Sequence, residues 1–391
     1  MDIHNRRRQL ERLIERITNE EDFSDENRKV ALGLKNDLLS QNIGLAKVGR
    51  YLQDVIWLNR NFKKNFKDAT VEDIKELVAN LNQSEYAEGT KKGIKVMLRK
   101  LYKYIRNVPG KNKYPPEVDW YTLTISKCKS KLPEELLTED EMNNIILAGK
   151  CERDRALLAT LCESGARVGE IGSMKITSVS FEKIGAKLTI HGKTGARKIL
   201  VIGCSTYLNT WINHHPFRSN SQYPLWCKTD GNFLTYERIN HILKQAVKKA
   251  GITKRVHPHL LRHSRATIMA NKMTDAQMKH YFGWTQGSNM ASIYIHMSGK
   301  DTDEAIMNAY GIEMDKEKTI PQLHSITCLR CGKENSPTDK YCNCGFVLDK
   351  EEGEKIILEE SNRNKADQIM NKLMEDPEIL SLIKTKMLVA S

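Results

Sequence analysis

Residues 187–202 are a short stretch of strand pattern in a chain that otherwise reads as helix. Leu188 and Ile190 alternate with polar neighbours, Gly192-Lys193-Thr194-Gly195 supply a turn, and Ile199 and Val201 resume the alternation beyond it. That period of two around a glycine turn predicts a hairpin with Lys193 at its tip. Elsewhere the apolar residues recur at helical spacing: Leu10, Leu13, Ile14 and Ile17 near the start, and Ile239, Ile242, Leu243, Ala246 and Val247 further on. Start signals agree with this reading. Thr70 precedes Glu72 and Asp73, while Thr138 with Glu141 and Thr274 with Gln277 have the spacing of capping boxes. Leu137 and Met142 are placed for a hydrophobic staple, and Ser288 for a cap on the helix that follows it. The expected fold is mainly α with a small β-sheet.

The chain has 391 residues, enough for two or three domains. An arginine-rich amphipathic helix is expected in residues 1–25 and a helical domain in 26–110. Val108-Pro109-Gly110 through Pro115-Pro116 lacks periodicity and opens a linker over 111–132. A second domain, mostly helical with the small sheet, spans 133–312; a cysteine-rich module follows at 313–350 and a charged helix at 351–391. A net charge of +13 favours a polyanionic partner, with nucleic acid foremost. No run of 18 apolar residues and no apolar leader is present, so the expectation is a soluble, cytoplasmic protein without membrane association.

Five polar residue types occur in one order: Arg167, Lys193, His259 three before Arg262, Trp284 and Tyr294. A phenol of ordinary pKa about 10 is a weak nucleophile at neutral pH, and guanidiniums with an imidazole are its natural activators. At i and i+3, His259 and Arg262 share a helical face and can reach one phosphate. Arginine suits the task because its planar fork gives two hydrogen bonds to phosphate oxygens. Any single arginine is more often an ion pair, and any single tyrosine a packed side chain; only the set points to phosphoryl transfer. A P-loop is excluded at Gly192-Lys193-Thr194, because position 187 is Lys187 and the segment lies between strands.

Ser164-Gly165-Ala166-Arg167-Val168-Gly169-Glu170, His191-Gly192-Lys193-Thr194-Gly195-Ala196-Arg197, Pro258-His259-Leu260-Leu261-Arg262-His263-Ser264, and Phe282-Gly283-Trp284 running on to Tyr294-Ile295-His296 resemble the signature boxes of the tyrosine recombinase (phage-integrase) family. The last box is similar to archaeal and archaeal-virus integrases. The resemblance, over roughly 30–312, implies a SAM-like core-binding DNA clamp domain followed by a mixed α/β catalytic domain. It further implies a site-specific recombinase that cleaves and rejoins double-stranded DNA attachment sites through a 3′-phosphotyrosyl intermediate, as a homotetramer assembled on DNA. No ATP or other nucleotide cofactor is needed. Carried over residue by residue, Tyr294 is the nucleophile, Arg167 and Arg262 hold the phosphate, and Lys193 is the general acid for the leaving 5′ oxygen. His259 is a base or phosphate ligand near Tyr294. Trp284, where many relatives have histidine, packs on or donates to the phosphate, since an indole cannot exchange a proton near neutral pH. Glu170 holds Arg167 or a neighbouring group in place. Type IB topoisomerase-like strand relaxation and a non-catalytic DNA-binding regulator on the same scaffold are the alternatives.

Cys328, Cys331, Cys342 and Cys344 form a cluster unlike the five scattered cysteines, and resemble a short zinc ribbon with one structural zinc. The second knuckle is Cys-x-Cys where Cys-x-x-Cys is usual, which leaves four-cysteine ligation open.

Overall fold

The computed structural model describes residues 2–123, 135–192, 195–270 and 272–298, with short stretches between 326 and 370. The chain divides into two compact units, residues 1–132 and 133–391.

The first unit is helical: α1 (Arg6–Asn19), α2 (Asp25–Ser40), α3 (Leu45–Asn61), α4 (Val71–Gln83), α5 (Glu88–Ile105) and the single turn α6 (Pro116–Asp119). Local chemistry sets the helix starts. The Ser24 hydroxyl accepts the Asn27 N–H ahead of α2, and Thr70 and Asp73 cap α4 reciprocally. Leu10 and Ile17 of α1 are buried in one core with Leu34, Leu52, Ile74 and Leu98, so the opening helix is packed into this unit. Each such fully buried aliphatic side chain contributes about 1.5–3 kcal/mol. Arg6, Arg12 and Arg16 of α1 line a groove together with Leu10, Leu13 and, from α3, Arg50.

The second unit begins with α7 (Glu139–Leu147), started by the Thr138–Glu141 capping box, and α8 (Glu152–Ser164). Helix α8 is buried from Ala156 to its end and packs against later helices on several sides. After α9 (Val168–Gly172) come β1 (Val179–Phe181), β2 (Ala186–Gly192) and β3 (Gly195–Val201), an antiparallel sheet in the order β1-β2-β3. His191 pairs with Ala196 and Gly192 with Gly195, as the hairpin expectation requires; Lys193 and Thr194 lie outside the described residues. The inward positions carry Leu188 and Ile190 on β2, and Arg197, Ile199 and Val201 on β3. Next is α10 (Gly203–Asn213), whose first N–H groups are held by one buried carboxylate. Glu163 accepts from Ile202, Gly203 and Cys204 at 2.7, 3.1 and 2.6 Å. The unit continues with α11 (Tyr236–Lys249), α12 (Pro258–Ala270), α13 (Asp275–Phe282) and α14 (Met290–Ser298).

Further along, β4 (Ile326–Thr327) pairs with β5 (Glu334–Asn335), and Tyr341 bridges Val347. Residues 355, 358–363, 365–366 and 370 are helical, within the stretch expected to form a charged helix; 371–391 lie outside the described residues. Among the described residues no helix is long and apolar enough to cross a membrane.

Candidate active site and metal centre

The site starts where α8 ends. Gly165 caps that helix at φ 53°, and a Cβ there would stand 2.6 Å from the Phe282 ring, so glycine answers both the left-handed turn and the close approach. The chain then reaches Arg167, the N-cap of α9. Glu170, three residues on, accepts the Arg167 backbone N–H at 3.0 Å and its guanidinium at 2.9 Å. From β3 the buried Arg197 adds two bonds to the same carboxylate, 2.9 and 3.4 Å long, and donates a third to the Tyr281 carbonyl at 3.0 Å. Burial alone would raise the Glu170 carboxyl, but the hydrogen bonds and charge of Arg197, with those of Arg167, bring it below its ordinary value. The carboxylate is 5 % exposed and fully engaged, whereas Arg167 keeps about a third of its side chain open to solvent.

Arg262 enters from α12. Its two terminal nitrogens donate to the Gly165 carbonyl at 2.9 Å and the Phe282 carbonyl at 2.7 Å, and its guanidinium lies over the Phe282 and Trp284 rings, 5.3 Å from each. Burial, with Arg167 beside it, pushes its pKa down to about 10, so it stays protonated at neutral pH. His259, one turn earlier on α12, is exposed at the residue level. Partial desolvation of its ring, then Arg262 and Arg167, push its imidazole below its ordinary value, which leaves it neutral at pH 7.

Tyr294 is closed off by aromatic packing. It is 3 % exposed and lies parallel to Trp284 (5.5 Å, 5°), which in turn stacks on Phe282 (5.1 Å, 24°). The phenol oxygen is 2.5 Å from Nδ1 of His263. Desolvation raises the Tyr294 pKa, with Arg262 opposing, so the phenol is protonated at neutral pH. Tyr281 has a packed, structural setting: its hydroxyl donates to the Glu163 carbonyl at 3.3 Å and burial raises its pKa strongly.

Arg167, His259, Arg262, Trp284 and Tyr294 therefore meet in one region with Glu170 behind them, while Lys193 falls outside the described residues. Trp284 contacts the tyrosine ring directly, a role the sequence reading did not give it. Two residues, quoted within the boxes, were given no role there. Arg197 carries a signal in hindsight, a charged side chain at an inward strand position between apolar ones. His263 follows Arg262 directly and lies four residues from His259, on the same helical face.

The four clustered cysteines are brought together. Their sulfurs lie within 4.8 Å of one another, with Cys328–Cys344 at 3.6 Å and Cys331–Cys342 at 3.5 Å. Thiolates about 2.3 Å from a tetrahedral zinc stand roughly 3.8 Å apart, so the Cys-x-Cys knuckle is compatible with four-fold ligation. The Cys344 backbone N–H lowers the Cys342 thiol to about 6, favouring the thiolate that a metal binds.

The second unit thus joins its helices to a three-stranded antiparallel sheet and sets a buried tyrosine, Tyr294, beside the Arg262 guanidinium. Residues 135–300 match the phage integrase family. Over 280 residues, 67 % of this chain and 92 % of the relative, it is 26 % identical to the tyrosine recombinase XerC of Lacticaseibacillus casei. In fold it is similar to a lambda integrase dimer bound to a COC′ core site, with TM-score 0.55 and 17 % identity over 70 % of this chain and 78 % of that one. It is also similar to XerH site-specific recombinase bound to difH substrate, with TM-score 0.54 and 20 % identity over 78 % and 96 % of the two chains.

Proposed function

We propose that this chain recombines double-stranded DNA at specific attachment sites, with Tyr294 as the nucleophile. The observation that carries this reading is the burial of Tyr294 against Trp284 beside the Arg262 guanidinium. Arg167 and Arg262 bind the non-bridging phosphate oxygens and neutralise the charge that builds in the transition state. The phenol oxygen bonds to phosphorus, the bond to the 5′ oxygen breaks, and Lys193 protonates that leaving oxygen. A 3′-phosphotyrosine remains, and a 5′ hydroxyl from a second strand reverses the attack. The link conserves the energy of the phosphodiester, so no nucleotide cofactor is consumed. His259, neutral and at the open edge, donates to the phosphate, and Glu170 fixes Arg167.

Support for the substrate comes from the +13 charge, the arginine groove of the first unit and the DNA-bound relatives of similar fold. Exchange between two duplexes needs four nucleophiles, so four copies assemble on DNA. Cys328, Cys331, Cys342 and Cys344 hold one zinc, which organises a module too small to build a core of its own.

The test is covalent capture. A randomised duplex library with a nick in each strand, incubated with the full chain, yields adducts whose sequence defines the cleavage site. Wild type is expected to form the adduct, and Tyr294→Phe to form none while still binding the same duplex. An adduct of undiminished yield in Tyr294→Phe rejects the assignment.

A further inference from the structure

We propose that His263 is the base that takes the phenol proton of Tyr294. This rests on the reading of Tyr294 as nucleophile and adds the residue that activates it. The phenol oxygen and His263 Nδ1 are 2.5 Å apart, in direct contact and within the reach of a general base. The two ring centres are 5.8 Å apart at 38°, with His263 carried on α12 and Tyr294 stacked on Trp284. His259 is placed differently. Its ring centre is 6.3 Å from that of His263, towards the open side of the site, and its electrostatic neighbours are Arg262 and Arg167. The two histidines thus divide the work: His259 faces the arginines that bind phosphate, and His263 faces the phenol.

The chemistry of the pair requires such a partner. A buried, protonated tyrosine cannot attack phosphorus as a phenolate unless its proton leaves during the step, and the arginines have no acceptor. In the neutral Nε2–H tautomer, Nδ1 of His263 offers its lone pair to the phenol. As the Tyr294 oxygen bonds to phosphorus, its O–H bond breaks and the proton passes to Nδ1, while the 5′ oxygen leaves with a proton from the general acid. The phosphate supplies the counter-charge for the imidazolium beside Arg262. When the incoming 5′ hydroxyl displaces the tyrosine, His263 returns the proton to the phenolate.

The experiment follows adduct formation by the full chain on a nicked duplex carrying the cleavage site that wild type selects. His263→Ala is expected to slow the adduct by about 10²–10⁴-fold, the usual range for a lost general base, with duplex binding unchanged. Added imidazole is expected to restore part of the rate. A duplex with sulfur in place of the leaving 5′ oxygen, which departs without a proton, is expected to leave the His263→Ala deficit in place and to shrink that of Lys193→Ala. His263→Asn, which can still hydrogen-bond the phenol but cannot hold a proton, covers the case in which the alanine variant fails to fold; it is expected to be comparably slow. Wild-type speed in His263→Asn would make the histidine a mere holder of the ring and overturn the proposal. Faster adduct formation in His263→Ala would make the contact a restraint on Tyr294, and recovery on the sulfur substrate would make His263 an acid; either result also overturns it. Absence of adduct in wild type would instead strike the nucleophile assignment itself.

Discussion

Arg197→Met tests whether the site is held together from behind. Arg197 is 8 % exposed, and the change deletes two bonds to Glu170 and one to the Tyr281 carbonyl, leaving a buried carboxylate with Arg167 as its remaining charged partner. Breaking a buried pair from one side costs about 3–5 kcal/mol. Because Arg167 stays, the lower end is expected, about 3 kcal/mol, or roughly 6–12 °C in Tm for a unit of this size. The pH dependence has a definite sign. In wild type the folded Glu170 pKa lies below its ordinary value, so its contribution to stability is present above the unfolded pKa and lost as pH falls through the folded one. Without Arg197 the burial penalty prevails and the pKa rises. The charged form then opposes folding, and the stability gap between wild type and variant widens from about pH 4 to pH 7. Glu170→Gln in the Arg197→Met background removes the buried charge that Arg167 alone does not compensate and should recover much of the loss. Denaturant unfolding of the four proteins at both pH values gives the coupling energy. Losses that simply add, or a gap that narrows with rising pH, would refute the buried-pair argument.

Two further outcomes are expected. Gly283→Ala should lower stability by about 1–2 kcal/mol from its φ of 63° alone, since a Cβ is disfavoured there; the Cβ would also stand 2.5 Å from the Arg197 guanidinium, so adduct formation should fall as well. Thermal melts and the capture assay check the pair, and a variant as stable as wild type would show that the close approach is not needed. Protein purified without chelators should contain about one zinc per chain by elemental analysis and lose it in Cys342→Ser; zinc-free wild type would remove the metal from the scheme.

The helices were legible because their caps and apolar spacing are local: Thr70, Thr138 and Thr274 all start helices as read. The hairpin was legible for the same reason, and its register followed from two strands joined by two residues. The cysteine cluster was visible in spacing, but which sulfurs come nearest, Cys328 to Cys344 and Cys331 to Cys342, depends on how the knuckles fold over one another. What could not be read is tertiary. His263 and Tyr294 are 31 residues apart and meet because α12 and α14 pack through Ala266 and Ala291, small residues that signal no chemistry.

The least legible feature is the manner in which Arg262 is held. Its hydrogen-bond partners are main-chain carbonyls, Gly165 at the end of α8 and Phe282 at the end of α13, and no side-chain pattern announces them. The choice of acceptor has a chemical consequence. A carboxylate would satisfy the guanidinium but offset its charge, as the single Glu170 carboxylate, shared between Arg197 and Arg167, does in part for each. Carbonyls at two helix C-termini bring only the partial negative charge of each helix end. They pay the desolvation cost of a buried arginine while leaving most of its unit charge uncompensated. That charge is then available to an anion arriving at the open side of the site, where it is worth more than in water because the surroundings are apolar rings. The two helix-ending glycines thus matter for more than turning the chain: one contributes a carbonyl to Arg262, and the other makes room for Arg197 beside it.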